Sequence, residues 1–371
     1  MVNRKNLSAA VIAGFLLSVG LSAQAPPAVP KKDDKKQTDD QKKEIQAVVK
    51  IADDLAAGQQ AANDLGLAWG SADFMKAQGN KQYAPFTVTL DGARATGGTL
   101  AFYWRVVSKD AAPPPPPPAA DSKDAKKDDK KNPPKRPEYA YEDISFVPVM
   151  PGQTAPIRIS RSITVPAGSY DVYVTVKEPT STQKNAPAAK TAGIKQALTV
   201  PDFWNNELGT SSVIVAQRID PLPAPLTPQQ QIERPYALGQ IEIVPMTETK
   251  LAKKVELQTF MIVYNPKMDS MNKPDILVEY NFCQVAAGSQ PKPGEPCKSG
   301  EKFFNKTTPQ ALNAQTLPPQ FDVAAGHQLQ AGQGVPLASF PEGEYRLEIK
   351  VTDKIANKSL TRDVNFTVSG T

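Results

Sequence analysis

The chain has 371 residues with 43 basic and 38 acidic side chains, a single histidine and two cysteines. A net charge of +5 over that length does not mark a nucleic-acid-binding surface, and one histidine leaves no clustered set for a histidine-based metal centre. The chain is long enough for two units that each bury their own core.

Arg4 and Lys5 precede an apolar stretch from Ala9 to Leu21 and then small residues, which is the composition of a secretory signal peptide. Residues 1–25 are read as that signal, cleaved after Ala25 or, because Pro26 follows, after Ala23. The stretch is shorter than the roughly 20 apolar residues of a membrane span, and no later segment is apolar enough to span. No cysteine lies near the cleavage point, which argues against a lipoprotein. The expected product is exported and soluble, periplasmic or extracellular, with no transmembrane segment after cleavage. Loss of Arg4 and Lys5 lowers its net charge to +3.

Residues 26–43, with Lys31-Lys32-Asp33-Asp34-Lys35-Lys36, hold too little apolar surface for a core and read as a disordered lead-in. From Glu44 to about Ala57, Ile45, Val48, Val49, Ala52 and Leu55 fall near helical spacing and predict a short amphipathic helix ending near Gly58. Strands are predicted at Tyr83–Leu90 and Leu100–Val107. A Pro/Lys-rich insertion, 109–138, follows; its six consecutive prolines span roughly 19 Å as polyproline II. Its eight basic and six acidic side chains nearly balance, as in a solvated spacer rather than an anion-binding tail. Further strands are predicted at Ile144–Val149, Ile157–Ile163, Ser169–Val176, a closing strand ending at Val200, and Ser211–Gln217. Residues 44–219 are therefore read as a first β-sandwich domain and the proline-rich stretch 220–235 as a linker.

A second sandwich domain is read over 236–371, with strands at Gln240–Val244, Val255–Tyr264 and Ile276–Phe282, an irregular tract to about Pro336, and a final hairpin. Cys283 and Cys297 flank a loop rich in Gly, Pro and Ser. An even count in an exported chain favours a disulfide; two free thiols or a metal pair are the alternatives.

The two halves share a signature. Val165-Pro166-Ala167-Gly168-Ser169-Tyr170 and Phe340-Pro341-Glu342-Gly343-Glu344-Tyr345 both read Pro-x-Gly-x-Tyr and are followed by alternating apolar residues. Tyr345, Leu347, Ile349 and Val351 share one strand face; Glu344, Arg346, Glu348 and Lys350 share the other, which predicts a half-buried antiparallel strand. A tyrosine at that position can bury its ring while its hydroxyl bonds to nearby backbone. Gly-x-Tyr with alternating apolar residues and a closing strand resembles the last hairpin of immunoglobulin-like and PKD-like β-sandwiches. That resemblance implies two tandem Ig-like antiparallel sandwiches, an all-β fold. Val172 and Leu347 stand where an antibody domain has its core cysteine, so that bridge is absent. Asp64-Leu65-Gly66-Leu67-Ala68-Trp69 and Tyr83-Ala84-Pro85-Phe86-Thr87-Val88 also resemble pieces of exported bacterial proteins of largely unknown role. Tyr236-Ala237-Leu238-Gly239 and Val263-Tyr264-Asn265-Pro266 resemble the β-rich part of exported bacterial GWxTD-domain proteins, although the Gly-Trp-x-Thr-Asp signature is missing.

A histidine triad would have to use His327, which sits in a loop-like stretch without a nucleophile motif elsewhere. No glycine-rich phosphate loop or calcium loop is present, and no catalytic residue, cofactor or metal is assigned. The most site-like stretch is Pro201–Leu208. There Phe203 and Trp204 offer an aromatic platform, Asn205 and Asn206 hydrogen-bonding groups, and Asp202 and Glu207 flanking carboxylates. The alternative for the same stretch is packing between the two units. The sequence thus points to a non-catalytic binding or scaffolding protein of the cell envelope whose partner is an envelope protein or a glycan. A carbohydrate-binding module on Phe203 and Trp204, and a hydrolase with dispersed carboxylates, are the other readings.

Overall fold

The computed structural model describes residues 38–110, 139–181, 183 and 185–370. The expected signal peptide, most of the lead-in and nearly all of the Pro/Lys-rich insertion lie outside the described residues. The fold is all-β, with antiparallel sheets and a short N-terminal helix.

Helix α1 (Asp39–Ala56) begins inside the stretch expected as lead-in. Thr38 Oγ1 accepts the Gln41 N–H, and Gln41 Oε1 accepts the Thr38 N–H. This reciprocal cap satisfies two donors at the helix start and moves the boundary ahead of Glu44. The strands of the first half form two sheets. They are β1 (Ala68–Ala72), β2 (Met75–Lys76), β3 (Gln82–Leu90), β4 (Gly98–Ser108), β5 (Tyr141–Val149), β6 (Ile157–Val165), β7 (Gly168–Lys177) and β8 (Thr191–Val200). One sheet runs β5-β4-β7-β8; in the other, β3 pairs β6 on one edge and β1 and β2 on its other edge. Phe86, Val88, Phe102, Trp104, Ile159, Ile163, Val172 and Val174 fill the space between them.

Val48 and Ala52 of α1 cover the opposite face of the first sheet, against Ala101, Tyr103 and Tyr173. β4 is therefore buried on both faces, which explains its near-continuous apolar run. Arg105, on the helix side, is 1% exposed. Its guanidinium donates to Asp53 Oδ1 and to the Tyr139 hydroxyl, each at 2.6 Å.

The second half contributes β9 (Gly209–Thr210), β10 (Ile214–Pro221), the short helix α2 (Pro228–Glu233), β11 (Ala237–Leu238), β12 (Ile241–Pro245), β13 (Lys250–Ala252) and β14 (Glu256–Tyr264). After these come β15 (Ile276–Val285), β16 (Glu301–Lys306), β17 (Gln310–Leu312), β18 (Leu329–Ala331), β19 (Gly334–Pro336), β20 (Gly343–Asp353) and β21 (Lys358–Ser369). The third sheet runs β11-β12-β10-β14, with β9, β18 and β19 also on β14; the fourth runs β13-β21-β20-β15-β16, with β17 also on β15. Leu257, Met261, Val263, Tyr280, Phe282, Leu347, Ile349 and Phe366 lie between these two sheets.

Besides the start of α1, three placements differ from the sequence reading. Ile214–Pro221, expected at the end of the first unit, is hydrogen-bonded to β14 and β12 of the third sheet. The stretch expected as a linker carries the end of β10 and α2, whose cap Thr227 and Gln230 repeat the reciprocal arrangement of α1. The tract expected to be irregular holds β16, whose Glu-Lys-Phe-Phe-Asn-Lys does not alternate, and β17 to β19, each three residues long and too short to show a period of two.

The repeated motif builds the same corner twice. Gly168 and Gly343 adopt φ of 151° and 144°, values costly for other residues. Tyr170 and Tyr345 are 4% and 1% exposed. Their hydroxyls donate to Pro166 O at 3.0 Å and Pro341 O at 2.9 Å.

Candidate functional site

The two sheet pairs meet along a seam where β14 turns its second face. Phe260, Ile262 and Tyr264 pack with Ile214, Ala216, Tyr236 and Ile243 against Met75, Ala77 and Tyr83 of the first half. The seam originates in one residue of β3. Pro85 has no N–H to give its neighbour, so the ladder on that edge breaks: β1 pairs Phe86–Thr89 and β2 pairs Gln82 and Tyr83. Between them Asp73 N–H still donates to Pro85 O at 2.9 Å, and Phe74 leaves the sheet. Phe74 N–H donates to Ser212 Oγ, and Ser212 N–H donates to Phe74 O, each at 2.9 Å.

This detour places Asp73 in a cleft of about 250 Å³. Ser71 and Asp73 form one wall, Val213–Val215 a second, Pro245–Thr249 with Leu251 a third, and Val364–Phe366 of β21 the fourth. Tyr236, 3% exposed, donates its hydroxyl to Asp73 Oδ2 at 2.8 Å. Burial pushes the Asp73 carboxyl up to about 6, against the opposing pull of the Tyr236 hydrogen bond. Burial and the Asp73 charge together push the Tyr236 hydroxyl well above its ordinary value. At the rim Glu248 is exposed, and Arg158 donates to Thr247 Oγ1 at 2.5 Å and to Pro245 O at 3.4 Å. Tyr236 was quoted from the sequence only within a resemblance, and none of these residues was read there as part of a site; Pro85 inside a predicted strand was the available signal.

The sequence-predicted patch lies at the other end of the same seam. Phe203 is 7% exposed, with its ring 5.0 Å from that of Tyr264. Asn265 Nδ2 donates to Phe203 O at 3.0 Å and to Glu207 O at 2.9 Å. Trp204 Nε1 donates to Lys81 O at 3.1 Å, and Lys76 Nζ stands 4.1 Å from the centre of its ring. Burial holds the Lys76 ammonium below its usual range, with the Asp202 charge opposing. Asn205 Oδ1 accepts the Glu207 N–H at 2.9 Å, Asn206 sits at a φ of 61°, and Glu207 pairs with Lys358 at 2.7 Å. Phe203 and Trp204 thus do not form a shared open platform. Phe203 packs inside the seam and only Trp204 remains half-exposed.

Cys283 and Cys297 are joined, with Cα atoms 5.6 Å apart. Their sulfurs lie near Glu301, but the disulfide leaves no thiolate there to ligate a metal. Arg346, expected on a charged outer face, is 4% exposed because the loop between the cysteines folds over it. It donates to Glu301 Oε1 and Oε2 at 2.7 and 2.6 Å, to Asp363 Oδ1 at 2.8 Å and to Pro296 O at 2.9 Å. The Arg346 hydrogen bonds hold the Glu301 carboxyl below its ordinary range. His327 is a loop residue whose Nδ1 accepts the Asp322 N–H at 2.9 Å. No helix among the described residues is long and apolar enough to cross a membrane.

No family model matches this chain, and no curated protein matches it. Solved structures of Escherichia coli alpha-2-macroglobulin show a distant likeness. The native conformation matches at 8% identity over 84% of this chain and 15% of that protein, with a TM-score of 0.20. The trypsin-activated form matches at 9% identity over 85% of this chain and 16% of that protein, also at 0.20. The chain thus spans about one-sixth of those proteins' length, and a likeness at this TM-score carries no argument about function.

Proposed function

We propose that the chain is an exported, non-catalytic binding or scaffolding protein of the cell envelope, built from two tandem Ig-like sandwiches that act as one platform. The observation that carries this reading is the shape of the cleft at Asp73. At about 250 Å³ it is below the roughly 300–1,000 Å³ of small-molecule sites. It is walled in part by a strand, so it suits one side chain of a docked protein better than a whole metabolite. The apolar seam supports a fixed relation between the two sheet pairs, because separating them would expose Phe203, Phe260, Ile262 and Tyr264. The N-terminal composition and the Cys283–Cys297 pair support export.

The test is crosslinking of the tagged protein in its native cells, with mass spectrometry of the captured species and of the mature N-terminus. The reading expects a stoichiometric envelope protein and an N-terminus at Gln24 or Pro26. An intact Met1, or recovery of the chain alone, overturns it. Trp204 keeps one half-exposed ring, and the glycan reading now rests on that residue; unchanged glycan-array binding in Trp204→Ala removes it.

A further inference from the structure

β21 is twelve residues long, yet β13 covers its outer edge only at Thr367–Ser369. There Thr367 N–H donates to Thr249 O at 2.8 Å, and Lys253 N–H donates to Ser369 O at 3.2 Å. Backbone groups along a strand alternate sides with a period of two. Ser359, Thr361, Asp363 and Asn365 therefore direct their N–H and C=O groups to the same edge as Thr367. Among the described residues no strand pairs with that edge, and these four residues are exposed. Among the described residues, the one bond formed there is from Arg362 Nη1 to Thr361 O, at 3.1 Å.

The open edge runs directly into the cleft, because Val364–Phe366 is one of its walls. A row of unpaired donors and acceptors is a template for another extended chain, and natural proteins usually shorten or cover such edges. The cleft adds a charge preference. Tyr236 holds Asp73 Oδ2, and no donor among the described residues meets Oδ1. Glu248 is exposed on the same wall; of the cations nearby, Arg158 is already committed to Thr247 and Pro245, and Arg362 to Thr210 and the Thr361 carbonyl.

We infer that the free edge of β21 and this cleft together bind an extended peptide segment of a partner protein by strand addition. One arginine or lysine side chain of that peptide sits against Asp73 and Glu248. The inference rests on the binding-protein reading above and gives its partner a chemistry. A basic side chain entering between β21 and β10 finds two carboxylates and apolar walls for its stem.

The test uses the full-length mature protein and a synthetic nonapeptide of alternating threonine and valine with a central arginine. The same peptide with central glutamate, and the arginine peptide N-methylated on alternate amides, are the controls. Expected are slowed hydrogen exchange at the amides of Ser359, Thr361, Asp363 and Asn365, and affinity at least tenfold above the glutamate peptide. That preference disappears in Asp73→Asn/Glu248→Gln, and N-methylation abolishes binding. Thr361→Pro removes an N–H that the fold does not use, so it abolishes binding with the melting temperature unchanged. If that variant melts early, the N-methylated peptide decides the same point from the ligand side. The inference is overturned if the four amides are already protected in the free monomer, or if no peptide slows them. It is also overturned if protection grows with protein concentration alone, which would make the occupant a second copy. An envelope partner crosslinked to another face would overturn strand addition here and leave the binding-protein reading standing.

Discussion

Replacing Asp73 by asparagine should stabilise the protein at neutral pH and do almost nothing at pH 4. The carboxyl is raised from 3.8 to about 6 by burial. Its folded-state value therefore lies above its unfolded value, so the folded state favours the protonated form. That contribution is fully present below about 3.8 and is lost as pH rises through about 6. A shift of roughly two units corresponds to about 3 kcal/mol, an upper value because the cleft admits water. The substituted asparagine keeps an acceptor for the Tyr236 hydroxyl and never ionises. The assay is urea unfolding of wild type and Asp73→Asn from pH 4 to 7.5. The difference in unfolding free energy should grow from near zero to about 2–3 kcal/mol and level off above pH 7. Burial raises Glu44 and Asp363, but hydrogen bonds from Lys177 and Thr180 to Glu44 and from Lys298 and Arg346 to Asp363 outweigh it, and Arg346 holds Glu301 down likewise, so the contribution of these three has the opposite sign and is lost as pH falls. They are common to both proteins and cancel in the difference. A difference that stays flat across this range would refute the assigned environment of Asp73.

The other expectations follow from single contacts. Gln82 is fully buried, and its side-chain amide has no hydrogen-bond partner among the described residues; Gln82→Met should therefore stabilise by about 1–2 kcal/mol, and a loss of stability in thermal melts would contradict it. Replacing Cys283 and Cys297 together by serine should cost about 3 kcal/mol for the loop they close. Reductant should lower the wild-type melting temperature while leaving the variant's unmoved. Tyr170→Phe and Tyr345→Phe should each cost about 0.5–1.5 kcal/mol, because both hydroxyls donate to the carbonyl four residues back. Costs that differ strongly between the two copies would break the structural equivalence of the two corners.

Alternation along Gly168–Lys177 and Gly343–Asp353 already determined the β class, the inward faces and the matched tyrosine corners. Those features depend on neighbours a few residues away, where the chain's period of two is visible. The glycine and proline of each corner act within the same short span. The near-continuous apolar run of β14 announced burial without saying against what. Its two faces serve different clusters, one between its own sheets and one at the seam, and the choice depends on strands far away in the chain. β10 shows the same limit: local pattern gives a strand but not its partner, and its bonds to β12 and β14 are made only in the folded chain. Arg346 looked solvated by parity, and only the loop tied by Cys283–Cys297 buries it. The patch from Phe203 to Asn206 was visible as composition, but whether an aromatic ring faces solvent or a neighbouring sheet is decided by tertiary contact. Asp73 carried no signal of its own. Its environment arises from Pro85 breaking a ladder and from Tyr236 arriving from a distant turn, so the cleft exists only once the two halves are docked.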